Sequence, residues 1–191
     1  MGVMDDAERI QPESLAQWHD WLAEHHGRGS GVWLVSWRGH SGRSALDYEE
    51  LVMEALCWGW IDSTVKKVDD DRTMMWFAPR KGRSMWVSSN KRRVAVLEEQ
   101  GRIQPAGRAM IDAAKANGMW TLMDSVEALE EPDDLAAALD AVSAARTFWD
   151  GMPPSARKQA LTQVALAMQD ATRTKRVAHV AAACAAGERP Y

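Results

Sequence analysis

Beyond Ser89 the chain carries only helical periodicity, whereas the segment before it sets three short runs of β-forming residues among its helical patterns. That split restricts the fold more than any other feature, because strands confined to one half must pair with each other and the helical remainder must bury its own faces. From Pro12 to His26, the positions Leu15, Trp18, Trp21, Leu22 and His25 recur at helical spacing, and Gly27, Gly29 and Gly31 then break the helix. "VWLVSW", Val32 to Trp37, is a continuous apolar run of strand length and predicts a buried strand. Asp47 with Glu50 three residues on has the spacing of a capping box, and it opens a helix whose buried face is Leu51, Val52, Ala55 and Leu56. That helix runs out near Gly59, where a positive φ or a close backbone approach is expected. "WIDSTVKKV" and "TMMWFA" flank the turn "DDDR", so Trp60–Val68 and Thr73–Ala78 predict a hairpin.

Past this point Ser88 or Ser89 can cap a helix ending at Gly101, and Pro105 opens another that stops near Gly118. Asp124 to Asp134 is an acidic connector, and three further short helices follow, with "GMPPS" as the clearest break. In the last helix Thr172 can serve as cap, with Val177, Val180 and Cys184 as the apolar face. The expected architecture is α+β: residues 1–122 form a small antiparallel or mixed sheet with packed helices, and residues 123–191 form an all-helical C-terminal part. Alanine-rich helices present flat faces, which suit a homodimer.

Composition narrows the class. With 191 residues, 46% hydrophobic and 26% charged, the chain can bury a core and is not of disordered type. Eight of its ten tryptophans precede residue 90, which places an aromatic-rich core or ligand wall in the first half. "MGVMDDAERIQPES" lacks the basic-then-apolar pattern of a signal peptide, and no apolar run reaches bilayer length, so no membrane span is expected. Cys57 and Cys184 stand far apart without ligand-like neighbours, as in a reduced, cytoplasmic protein. His19, His25, His26, His40 and His179 form no metal-ligand spacing, and there is no dinucleotide fingerprint, phosphate loop or nucleophile elbow. Neither a metal nor a cofactor is expected.

One stretch departs from this even pattern. "APRKGRSMWVSSNKRR", Ala78 to Arg93, holds six cations and no acid in a chain of net charge -4. Lys91, Arg92 and Arg93 fall in the first turn of a helix, where the macrodipole disfavours cations by about 0.3–1 kcal/mol each. A bound anion would offset that cost: Arg80 holding it, Asn90 and Ser84 fixing its orientation, Trp86 forming a wall, Arg93 adding charge, and Asp62 holding Arg80 beside Trp60. The competing reading is that these cations pair with the chain's own carboxylates, either Asp69, Asp70 and Asp71 or the acidic connector. Two further classes stay open. Nucleic acid could bind the basic stretch by charge and stacking, although the overall acidity opposes it. A hydrolase or transferase could use Asp62 or Cys57, although neither has a partner group nearby in sequence.

Three stretches together resemble a known family: "ALCWGWID", the block "APRKGRSMWVSSNKRRVAVLEEQGRIQPAG", and the closing "ATRTKRV…AAG". They are similar to bacterial YdeI/OmpD-associated proteins, also labelled bacteriocin-protection proteins. The matching positions are Cys57, Gly59, Trp60, Ile61, Asp62, Pro79, Arg80, Ser84, Trp86, Asn90, Arg93, Gly101 and Gly107. Trp58 stands where the family usually has Phe, and Val87 where it has Ser. Gln163 and Met168 replace a frequent aromatic and a frequent lysine. The resemblance implies a role in envelope stress and protection against antimicrobial peptides, and it implies no settled enzymatic activity.

Overall fold

The computed structural model describes residues 6–191, so the start of the segment read for a leader lies outside the described residues. The chain divides into two compact units. One comprises residues up to 84 together with 89–117, and the other comprises 85–88 and 118–191.

The first unit is built on a four-stranded sheet. Its strands are β1 (Arg9–Ile10), β2 (Val32–Trp37), β3 (Trp60–Lys67) and β4 (Arg72–Pro79), in the spatial order β1-β2-β4-β3. β3 and β4 form the predicted hairpin, β4 runs antiparallel to β2, and β1 adds a short parallel edge. The register sets Trp33 opposite Trp76 and Val35 opposite Met74. These four bury together on one face, while Val32 and Leu34 alternate onto the other, where Phe77 lies 5.1 Å from Trp18. A strand covered on both faces reads as an unbroken apolar run, which is why "VWLVSW" shows no alternation.

Four α-helices pack in this unit: α1 (Leu15–His25), α2 (Tyr48–Cys57), α3 (Ser88–Glu99) and α4 (Pro105–Ala116). Asp47 caps α2 by accepting the Glu50 backbone N–H at 3.0 Å, as its sequence position predicts. The indole N–H of Trp18 donates to the Leu51 carbonyl at 3.1 Å, so a buried tryptophan of α1 also ties that helix to α2. α4 meets the end of α2 through Gly107, where a Cβ would lie 2.2 Å from the Cys57 carbonyl oxygen.

The second unit contains α5 (Asp124–Glu127), α6 (Asp133–Asp140), α7 (Ser143–Gly151), α8 (Pro154–Ala165) and α9 (Asp170–Ala185). The acidic connector therefore holds a helical turn, and four further helices follow it where the sequence predicts three. Alanine gives no contrast at the short break between α6 and α7. Thr172 lies inside α9, whose N-cap is Gln169. The expected apolar face of α9, Val177, Val180 and Cys184, is buried in one core with Leu135, Leu139, Trp149 and Leu161. Trp86 belongs to this unit, 2% exposed, with its ring 5.0 Å from that of Trp120. No described helix is long and apolar enough to cross a membrane.

Candidate functional site

The chain enters the basic stretch from the last residue of β4. The Arg80 backbone N–H donates to the Gly59 carbonyl at 2.9 Å, and Gly59 has φ +78 with the Met110 side chain 2.8 Å from where a Cβ would stand. The positive φ is one of the two alternatives expected of this glycine, and the Ala106 carbonyl oxygen, 3.2 Å from the same Cβ position, supplies the other. They carry Arg80 inward, to 6% exposure. Burial pushes the Arg80 guanidinium down to about 10, and the nearby Asp62 carboxylate works against that shift. The group therefore stays charged at neutral pH, as an interior cation.

The next four residues form a turn that uses its own polar groups. The Ser84 N–H donates to the Lys81 carbonyl at 2.8 Å, and the Ser84 hydroxyl accepts the Lys81 N–H at 2.9 Å. Lys81 and Arg83 are exposed. Asn117 steadies the turn by donating to the Gly82 carbonyl at 2.7 Å.

Arg93, on the first turns of α3, has a partner the sequence does not reveal. Its Nε and Nη2 form a fork on the Glu49 carboxylate at 2.7 and 2.6 Å, and its Nη1 donates to Asn90 Oδ1 at 2.9 Å. Tyr48 lies beneath the guanidinium, 5.9 Å from ring centre to Cζ, and donates its hydroxyl to Asp62 at 3.0 Å. One connected network thus joins Asp62, Tyr48, Arg93, Asn90 and Glu49. The hydrogen bonds from Arg93 hold the Glu49 carboxyl below its ordinary range, whereas burial and then the Asp62 charge raise the Tyr48 phenol. Two aspartates of the hairpin turn pair within the hairpin, Asp69 with Arg72 at 2.7 Å and Asp70 with Lys67 at 2.5 Å. From the acidic connector, Glu127 accepts the Ser88 N–H at 3.0 Å and also faces the Ser88 hydroxyl.

A cleft of about 290 Å³ opens beside this network, lined by Glu49, Met53, Ser89, Arg92, Arg93 and Val96. Arg92 is exposed there and makes no ion pair among the described residues. Of the residues predicted for the site, the structure brings together Asp62, Asn90 and Arg93, with Asp62 also acting on Arg80. Ser84 is engaged in its turn and Trp86 belongs to the other unit. Trp60 is fully buried, its indole donating to the His26 carbonyl at 2.9 Å.

A second polar cluster was not predicted. Glu54, 5% exposed, accepts from His19 Nδ1 at 2.8 Å, from the Trp58 indole at 3.1 Å and from Arg102 at 2.9 Å. Its signal was a carboxylate set among the apolar positions of α2, four residues before a tryptophan. Cys57 lies close by, 1% exposed. Burial, reinforced by the Glu54 charge, pushes its thiol up to about 12. A thiol held there is protonated at neutral pH, so it is not poised as a nucleophile. No group of metal-ligating side chains occurs among the described residues.

An α+β unit with an arginine-lined cleft, followed by a separate helical unit, defines the class of protein this is. The first unit carries the family: a model described as a domain of unknown function (DUF8412) matches residues 10–110, and the chain belongs to that family. The helical unit carries a second match, over residues 128–187, to the family described as bacteriocin-protection, YdeI or OmpD-associated. The resemblance read from the sequence is therefore supported, at the closing "ATRTKRV…AAG" stretch, while the central motifs from Ala55 to Gly107 fall within the other match. No curated protein and no solved structure is similar enough to match the chain.

Proposed function

We propose that the chain binds a small anion in the cleft between α2 and α3, and that this binding serves the protective, envelope-stress role implied by the label of the C-terminal family. The observation that carries the reading is Arg92, an exposed arginine without an ion pair among the described residues, set in the same cleft as the Arg93–Glu49 fork. A phosphate or carboxylate entering there gains charge-assisted hydrogen bonds from Arg92, the remaining N–H groups of Arg93 and the Ser89 hydroxyl. Met53 and Val96 give it an apolar flank. A space of about 290 Å³ suits the anionic head of a small molecule. The net charge of -4 counts against a nucleic-acid strand, whose sequence-independent binding draws on a broad basic face.

Glu49 is the built-in competitor. Its carboxylate is ionised at neutral pH, and Arg93 lowers its pKa further, so it repels the incoming anion and must be tolerated or displaced. The test is calorimetric titration of the full chain with inorganic phosphate, pyrophosphate and citrate. Binding should weaken about tenfold in Arg92→Ala and strengthen severalfold in Glu49→Gln. Failure of all three anions to bind, or equal binding by Arg92→Ala, removes the reading. Arg80→Ala is a poor probe, since it empties an interior position.

A further inference from the structure

The second unit contains a cavity of about 270 Å³ that no feature of the anion cleft uses. Its apolar wall is Leu122, Val126, Leu161 and Ala165, and its polar rim includes Glu130 and Arg173. The two rim charges differ in what they already do. Arg173 is held in a fork by Asp134, Nε at 2.6 Å and Nη2 at 2.8 Å, which fixes the guanidinium and leaves Nη1 outside the fork. Glu130 is exposed and makes no ion pair among the described residues. Its neighbour Glu131 also lines the cavity, but its carboxylate is taken by the Trp149 indole at 2.6 Å and by Arg146 at 2.8 Å.

A backbone closure places Glu130 on this rim. Leu129, φ 59, closes α5 with its N–H on the Val126 carbonyl at 3.1 Å, and the Glu130 N–H returns to the Ser125 carbonyl at 2.8 Å. This is a Schellman closure with leucine at the position glycine normally fills. The leucine side chain packs on the unit's core, so Glu130 leaves the turn from an anchored residue.

A cavity with one available negative charge, one fixed positive charge and a wall of aliphatic side chains matches a molecule with the same three parts. We infer that this cavity binds a small zwitterion, an α-amino acid with a branched aliphatic side chain: its ammonium at Glu130, its carboxylate at Arg173 and its side chain against Leu122, Val126 and Leu161. The volume suits a ligand of that size. The site is independent of the α2–α3 cleft and does not rest on the anion reading.

The test separates the three parts of the ligand. The full chain is titrated calorimetrically with L-leucine, with isoamylamine, which keeps the cation and the aliphatic end, and with 4-methylpentanoate, which keeps the anion and the aliphatic end. Leucine should bind about tenfold tighter than either analogue, and Glu130→Gln should cost leucine about tenfold. Ala165→Phe, which fills the cavity, should abolish binding. Should that variant fail to fold, the exposed Glu130→Gln still decides the matter. Leucine binding no tighter than isoamylamine, leucine binding unchanged in Glu130→Gln, or no binding by any of the three at millimolar concentration overturns the inference.

Discussion

Arg80 and Asp62 show how one residue's charge sets another's role. Taking a guanidinium to 6% exposure is costly, and the Asp62 carboxylate offsets part of that cost. Asp62→Asn keeps an oxygen to accept the Tyr48 hydroxyl but removes the charge, so it isolates the electrostatic part. Because Asp62 is only half-buried, the loss should be modest, about 1–2 kcal/mol. It should shrink when Arg80 is first replaced by methionine. Urea midpoints of the two single variants and the double variant give the coupling; a loss of equal size in the Arg80→Met background means the two charges do not interact. Cys57 offers a second check at this scale. A thiol buried at 1% exposure and raised to about 12 should resist a thiol-specific reagent at neutral pH until the chain unfolds. Rapid labelling of Cys57 in the folded chain, located by peptide mapping, would reopen the covalent chemistry that this burial argues against.

At the scale of elements, contacts between helices depend on single positions. Gly107 lets α4 approach the end of α2, and any Cβ there meets the Cys57 carbonyl oxygen at 2.2 Å and the Leu56 carbonyl oxygen at 2.9 Å. Both obstacles are backbone and cannot rotate away, so Gly107→Ala should cost about 1–3 kcal/mol despite alanine's better helix propensity. A urea midpoint at or above that of the parent chain would show that the helices can part at no cost. In the second unit, Asp134 in the first turn of α6 is tied to Arg173 of α9, and this hydrogen bonding lowers its pKa. The unfolded carboxyl then binds a proton more readily than the folded one. The stabilisation is complete above the ordinary carboxylate range and fades as pH falls through the lowered value. Asp134→Asn should flatten that acid limb, measured as the urea midpoint between neutral pH and about pH 3. An unchanged slope would show that the pair adds nothing.

The same elements show which features were legible. The Asp47 cap, the strand at Val32, the hairpin and the stop at Gly101 each rest on local chemistry within a few residues, and all are in place. What was hidden depends on distance along the chain. β1 is two residues long and exists through its pairing with β2, and the Glu49 that engages Arg93 lies 44 positions away. The basic stretch is legible as an excess of cations, but the packing of α3 against the start of α2 is what gives Arg93 the Glu49 carboxylate.

Across the whole molecule, the two units do not follow the order of the chain. Residues 85–88 leave the sheet-bearing unit to join the helical one, and the chain then returns for α3 and α4 before continuing into α5. A tryptophan far from residues 128–187 in sequence is thus counted in the same unit as that family match. Trp86, 2% exposed with its ring tilted against that of Trp120, should therefore hold up the helical unit. Replacing a buried tryptophan with alanine costs about 3–5 kcal/mol. The loss in Trp86→Ala should fall on one unit: hydrogen exchange should quicken across α6 to α9 while the amides paired between β2 and β4 keep their protection. The core of the helical unit draws no residue from β2 or β4, which makes that asymmetry the expected result. Faster exchange in the β2–β4 ladder with α6 to α9 unchanged would assign Trp86 to the sheet-bearing unit instead, and with it the view that the helical unit recruits a piece of the segment matched by the other family. For the same reason a fragment beginning at residue 118 should be less stable than the helical unit within the full chain, because it lacks the ring that packs on Trp120.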